Sequence, residues 1–307
     1  NVVPGARAYV AELQKRLLSN GGAVLCNAAA ESLVSTGPRI TGVVARIDGG
    51  PVELTAERGV VLAAGDYANS PELIGRFKGD RFADIEGINP HSVGDGHVLA
   101  EQAGARLVNM EVTYGPEIRF VVPEGRTLQQ LMPSTGPIAS LIGRLLPVVP
   151  RFVMNAVARR LLVTWQHPED ALFGDGAILI NSEGERFCDE SESPDREIAI
   201  AGQPGKVCYI LLDQWLIERY SQWPHFISTA PQIAYAYVAD YLRLRRDVSV
   251  EGTTLSQIAA RRSIPPGSLE ATVDACNRER EKSDDRALGG SRWGLLGPAK
   301  AYFTTTE

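Results

Sequence analysis

The chain has 307 residues, a formal net charge of −6 and 44% hydrophobic residues. This length is enough for two domains with separate cores, since single cores stop growing at roughly 250–300 residues. The acidic balance argues against a nucleic-acid-binding protein, because phosphate contacts need a strong basic field. The four cysteines stand singly without metal-ligand spacing, which predicts reduced thiols, no metal site and a cytoplasmic location.

The first 110 residues predict a helix, a strand-rich segment and two short helices, the first of which starts at Ser70-Pro71-Glu72 and the second at Gly94. Residues 9–18 carry apolar side chains at helical spacing, and Asn20-Gly21-Gly22 is a helix stop. Strands are predicted at residues 23–26, 31–34, 40–47, 52–55 and 60–64, with Asp48-Gly49-Gly50 as a hairpin turn. The continuous apolar run at 60–64 indicates a strand that is buried on both faces.

Two turns rich in small residues are candidate ligand sites. Ala63-Ala64-Gly65-Asp66 follows the predicted strand at 60–64, and small side chains there let a ligand approach the backbone. Gly94-Asp95-Gly96 opens the second short helix, where Asp95 either accepts hydrogen bonds from ligand hydroxyls or caps the helix. Taken alone, each turn is more typical of a structural connection.

Residues 125–168 form an apolar, basic segment in an acidic chain. The segment holds five arginines and no Asp, Glu or Lys. One interpretation is a lid that closes over an apolar substrate, and another is an interfacial element that makes peripheral contact with a membrane. Pro147 and Pro150 interrupt any long helix, so we favour the lid.

The last part of the chain alternates buried strands with helices. Residues 177–181 and 206–213 predict strands, the first followed by a turn and a second strand through Phe187. Helical patterns cover residues 214–246, 254–262 and 267–281. The four histidines are far apart, and each is more typical of a structural or surface residue than of a base.

Seven segments together resemble the flavoprotein family of fumarate reductases, succinate dehydrogenase flavoprotein subunits and 3-ketosteroid dehydrogenases. The segments are 40–44 (ITGVV), 60–67 (VVLAAGDY), 94–96 (GDG), 104–110 (GARLVNM), 176–190 (GAILINSEGERFCDE), 254–277 and 297–306 (GPAKAYFTTT). Each motif alone is weak, but their order covers nearly the whole chain.

The resemblance implies an α/β plus α+β protein, in which a partial, Rossmann-like FAD-binding domain carries an inserted α+β cap domain for the substrate. It implies an FAD-binding part at 1–112, a cap at 113–280 and a return segment at 281–307. It also implies that Ala63, Ala64, Gly65, Asp66, Gly94, Asp95 and Gly96 bind FAD. The family's G-x-G-x-x-G turn has no match here, and its final glycine-rich segment would follow residue 307, so a fragment is expected.

The resemblance further implies hydride transfer between flavin and a C–C bond next to a carbonyl, on a small-molecule substrate. Fumarate reductases carry a His-Pro-Thr where this chain has Gly115-Pro116-Glu117, and an Arg where it has Pro194. Arg196 is therefore the first candidate catalytic residue and Arg119 the second. These departures and the apolar segment at 125–168 favour an apolar substrate over a small diacid. The alternative is a non-catalytic binding or interaction domain that retains the cap fold.

Overall fold

The computed structural model describes residues 6–123, 133, 136–145, 148–165, 167–230 and 234–306. Helices α1–α11 span, in chain order, Ala6–Ser19, Pro71–Lys78, Asp95–Gln102, Pro137–Leu145, Arg151–Trp165, Ala171–Gly174, Asp195–Ala201, Gln214–Arg219, Val238–Leu244, Leu255–Arg262 and Ser268–Ser283. Strands β1–β13 span Ala29–Thr36, Arg39–Ile47, Gly50–Thr55, Glu86–Gly87, Thr113–Tyr114, Glu117–Phe120, Ile178–Ile180, Cys208–Leu212, Ser228–Ala230, Ala234–Ala236, Ser249–Gly252, Trp293–Phe303 and Thr305–Thr306.

The chain divides into two compact units. The first unit takes in residues 1–65, 94–108 and 124–154, and the second takes in residues 66–93, 109–123 and 155–307. Both units are therefore built from several stretches of chain. The domain boundaries expected from the sequence, after residues 112 and 280, stay predictions.

The first unit contains the antiparallel sheet β1-β2-β3. The turn between β2 and β3 is Asp48-Gly49, since Ile47 pairs with Gly50. Both turn residues have positive φ, as the common two-residue hairpin turn requires. The helix predicted at 9–18 is α1, which ends at the predicted Asn20-Gly21-Gly22 stop.

The second unit is organised around the long strand β12. Its first half lies between β11 and β8, and its second half pairs with β6 on one side and β4 on the other. Strand β7 extends this sheet beyond β8. The side chains of β7 and β8 are almost completely buried, which explains their continuous apolar sequences.

Four sequence predictions of secondary structure are wrong. The second strand expected through Phe187 is absent, since Arg186 forms only an isolated bridge to Ile180. Residues 23–26 and 60–64 form no strand, and Val61 is 89% exposed. A buried strand needs hydrogen-bonding partners on both edges, and the described residues place no strand beside either segment. The helical pattern at 214–246 is interrupted, because β9 and β10 form a hairpin between α8 and α9.

The segment at 125–168 is described in part. Helix α4 is strongly amphipathic, and it buries none of its side chains. Helix α5 separates apolar and polar side chains only weakly. Arg126 lies outside the described residues. None of the helices in the described ranges is long and apolar enough to cross a membrane.

Candidate functional site

In the first unit, the structure brings two of the predicted flavin-binding turns together. A Cβ atom added to Gly96 would lie 3.2 Å from the Cβ of Ala64. Gly65 and Gly94 both have positive φ, so each turn uses a conformation that favours glycine. Helix α3 begins at Asp95 without a side-chain cap, which leaves its first amide groups, those of Asp95 and Gly96, without a side-chain acceptor, whereas the N–H of His97 donates to the Gly94 carbonyl.

Asp66, the remaining predicted flavin-binding residue, belongs to the second unit. Its carboxylate accepts hydrogen bonds from the backbone N–H of Ala68 at 2.9 Å and from Thr305 Oγ1 at 2.8 Å. These contacts anchor the start of the second unit to β13. The flavin contact of Asp66 stays a prediction.

A cavity of about 160 Å³ lies in the second unit. Two of its walls come from the segments that the resemblance selects for substrate contacts, residues 115–117 and 193–196. The lining residues are Pro116, Glu117, Ile118, His167, Pro168, Asp170, Phe173, Ser193 and Arg196. Strand β6 is placed here by its ladder to β12, in which Glu117 pairs with Tyr302.

Arg196 is a buried, fixed cation on the wall of this cavity. It donates from Nε to Glu197 at 2.8 Å, from Nη1 to the carbonyl of Glu190 at 2.9 Å and from Nη2 to Asp170 at 2.9 Å. Burial would lower the pKa of Arg196, but the charges and hydrogen bonds of Glu197 and Asp170 raise it instead. Arg196 therefore keeps its charge and is a poor proton donor.

The two carboxylates that hold Arg196 differ in exposure. The side chain of Glu197 is fully buried, whereas that of Asp170 is 81% exposed. Ser193 also donates to Glu197, at 3.0 Å. Asp170 is therefore the exposed partner of Nη2, and Glu197 is its buried partner.

Arg119, the second candidate, lies on β6 and does not line the cavity. Its Nη2 donates to Glu117 Oε1 at 2.7 Å, and Thr304 donates to the same oxygen. Burial would raise the pKa of Glu117, but these hydrogen bonds and the charges of Arg119 and His167 outweigh burial and lower it. Arg119 thus keeps Glu117 ionised at the cavity wall.

His167 is a cavity residue that the sequence analysis treated as structural. Its Nδ1 lies 3.3 Å from Glu117 Oε2, which is ion-pair range without the alignment of a hydrogen bond. A single His followed by Pro168 carries no motif, so the sequence offered no signal for this contact.

A larger cavity, of about 600 Å³, lies beside α11 in the same unit, but its arginines are engaged within the protein. Arg186 pairs with Glu190 and Glu279, Arg280 donates to the carbonyl of Gly176, and Arg286 pairs with Asp213. We take the smaller cavity as the candidate site, because the segments at 115–117 and 193–196 both contribute to its lining. In the part of the chain that the structure describes, no group of three or more His, Cys, Asp or Glu side chains could hold a metal ion.

Comparisons with known proteins agree with the expected family. A family model for an FAD binding domain matches residues 1–293. The NADH:acrylate oxidoreductase of Vibrio harveyi is 24% identical over 98% of this chain and 25% of its own length. The 4-oxocyclohexanecarboxylate 2-dehydrogenase of Sinomonas cyclohexanicum is 26% identical over 90% of this chain and 42% of its own length.

A solved structure has a similar fold. The open conformation of a flavocytochrome c3 fumarate reductase matches 94% of this chain and 43% of its own, with a TM-score of 0.56 and 19% identity. The chain thus spans a quarter to less than half of the length of these relatives.

Proposed function

The chain belongs to the FAD binding domain family, and from this premise we propose that it is the part of an FAD-dependent oxidoreductase that contributes one side of the flavin site and most of a substrate-binding cap. The proposed reaction transfers a hydride between flavin and a C–C bond next to a carbonyl or carboxylate. One observation supports the proposal most strongly. Residues from 115–117 and from 193–196 line the same cavity, which also has charged side chains in its wall.

The turns of the first unit fit one wall of a flavin site. Ala64 and Gly96 lie so close that a larger side chain at Gly96 would fill the space between the turns. The uncapped N-terminus of α3 offers amide groups and a positive dipole to an anionic or oxygen-rich part of the cofactor. FAD, when bound, supplies the two-electron chemistry, and the protein supplies binding, orientation and electrostatics.

In the cavity, we propose that Arg196 stabilises the negative charge that develops on a substrate carbonyl or carboxylate. A fixed cation costs no reorganisation when that charge appears, because Glu197 and the Glu190 carbonyl already hold the guanidinium in place. Arg119 acts through Glu117 rather than on the substrate.

The substrate class follows from two different observations. The cavity is lined by Glu117, His167, Asp170, Ser193 and Arg196, which favours a polar, carbonyl-bearing end of the substrate. Helix α4 exposes Ile138, Leu141 and Leu145, which supports either an apolar substrate under a lid or peripheral contact with a membrane. We keep the apolar substrate as the proposal, with its carbonyl end bound in the cavity.

A cytoplasmic location is supported by the free state of all four cysteines.

The test uses the flavin-loaded protein that carries this chain. The flavin is reduced without oxygen, and its reoxidation is followed after addition of acrylate, fumarate or cyclohexenone. We expect at least one acceptor to reoxidise the flavin in a single turnover and to leave as the saturated product. A protein that contains flavin but is reoxidised by none of them, or a protein that binds no flavin, would favour the non-catalytic binding domain instead.

A further inference from the structure

The candidate cavity needs a group that can move a proton, and the charged residues already described do not supply one. Arg196 is held as a permanent cation, and Glu117 is held as a carboxylate by Arg119 and Thr304. Asp170 is exposed and paired with Arg196, and Ser193 donates to Glu197. Among the described residues that line the cavity, this leaves His167, and histidine is the side chain that exchanges a proton near neutral pH.

The geometry of His167 separates its two ring nitrogens. Nδ1 is buried and lies 3.3 Å from Glu117 Oε2, whereas 41% of the side chain as a whole is exposed. The accessible part of the ring is therefore the part away from Nδ1, which includes Nε2. A carboxylate beside Nδ1 favours the Nδ1–H tautomer, so that Nε2 is the nitrogen left to exchange a proton with the substrate.

Charged groups of both signs lie on the elements that line the cavity. They are Glu117 and Arg119 from β6, Glu169 and Asp170 from the segment that follows His167, and Arg196 from α7. Burial raises the pKa of Glu169, the charge of His167 lowers it and Asp170 raises it further. His167 thus interacts with two carboxylates, that of Glu117, which lines the cavity, and that of Glu169, which does not.

Resting on the function proposed above, we propose that His167 is the proton-transferring residue of this cavity and that Glu117 is its positioning residue. In the reducing direction, bound FAD in its reduced form would supply the hydride that adds to the carbon β to the carbonyl. The π electrons of the C=C bond form a new C–H bond at the α carbon with the proton from Nε2, and the Nε2–H bond breaks. The ring is left neutral with its proton on Nδ1, and the reverse steps apply to dehydrogenation.

The first test replaces His167 by Gln in the flavin-loaded protein and measures single-turnover flavin reoxidation with the acceptor that works for the wild type. We expect the rate to fall by about 100-fold or more, because general acid catalysis contributes that much, and its pH dependence to flatten. Flavin content stays at the wild-type level. His225→Gln is the matched control, since His225 is similarly half-buried in the same unit but packs at a tilt against Tyr220 outside the cavity.

The outcomes separate this proposal from the proposed function. A wild-type protein that no acceptor reoxidises overturns both. A wild-type protein that turns over, with His167→Gln equal to His225→Gln in rate and pH profile, overturns the role of His167 alone.

The second test asks whether Glu117 determines which ring nitrogen of His167 carries the proton, and it needs no measurement of activity. Proton–nitrogen NMR spectra of the histidine rings, assigned with His167→Gln, report which nitrogen carries the proton in the neutral ring. We expect Nδ1–H in the wild type and loss of this preference in Glu117→Gln, because Arg119 and Thr304 compete for the single amide oxygen. A wild-type His167 with its proton on Nε2 would contradict the proposal.

Discussion

The two units differ in how many of the side chains of their helices and strands are buried. In the second unit, β7, β8 and β12 form a sheet whose side chains are almost all inaccessible to solvent. In the first unit, α1 buries no residue, and Val24, Leu25, Val61 and Leu62 are exposed. Hairpins and helices therefore form from local sequence in both units, and the second unit also encloses a cavity with buried charges. Stability and catalysis should respond differently to changes in each unit.

The largest effect on stability is expected at Glu197, the fully buried partner of Arg196. Glu197→Gln leaves a buried guanidinium with its charge only partly compensated, so we expect the free energy of unfolding to fall by about 3 kcal/mol. Urea denaturation of the chain measures this change. Glu53→Gln, on the exposed face of β3 in the first unit, should change it by less than about 0.5 kcal/mol. Equal effects of the two substitutions would break the contrast between the units.

The next effect concerns turnover rather than folding. Arg196→Lys keeps a positive charge beside Glu197 but loses the fixed planar donors, so we expect the rate of substrate turnover to fall by about 100-fold. Flavin content of the loaded protein should remain normal. Loss of flavin in this variant would instead give Arg196 a structural role.

A smaller effect is expected in the pH dependence of stability. The pKa of Glu117 is lowered from its usual value of 4.5. The ionised carboxylate therefore contributes fully to the free energy of unfolding above pH 4.5, and this contribution is lost as the pH falls through the lower pKa of the folded state. Glu117→Gln should reduce the free energy of unfolding at neutral pH by about 1–2 kcal/mol. Denaturation midpoints measured between neutral and acidic pH should converge for the two proteins. A difference that grows on acidification would contradict the lowered pKa.

The smallest effect on stability, with a separate effect on cofactor binding, is expected at Gly96. Gly96→Ala improves helix propensity by up to about 1 kcal/mol but narrows the space beside Ala64, so the free energy of unfolding should change by less than about 1 kcal/mol. The ratio of bound flavin to protein should nevertheless fall. Gly50→Ala, where no atom lies within 4 Å of the added Cβ, is the control. Unchanged flavin content in Gly96→Ala would place the cofactor elsewhere.

Local features were predictable because they depend on a few neighbouring residues. The hairpin turn at Asp48-Gly49 needs positive φ, which Asp and Gly tolerate. The helix stop after α1 and the Thr254 cap of α10 are likewise local. The family and FAD followed from the order of several weak motifs, and the family model confirms both.

The sequence by itself therefore determined the hairpin, most helices, the buried strands β7 and β8, and the family with its cofactor. Only the tertiary structure decided that residues 23–26 and 60–64 lack strand partners, and that His167 faces Glu117 at the wall that carries Arg196. The physical reason is the range of the interactions. Turn and cap preferences act over a few residues, whereas the cavity depends on β6 pairing with β12, which joins Glu117 to Tyr302 across most of the chain.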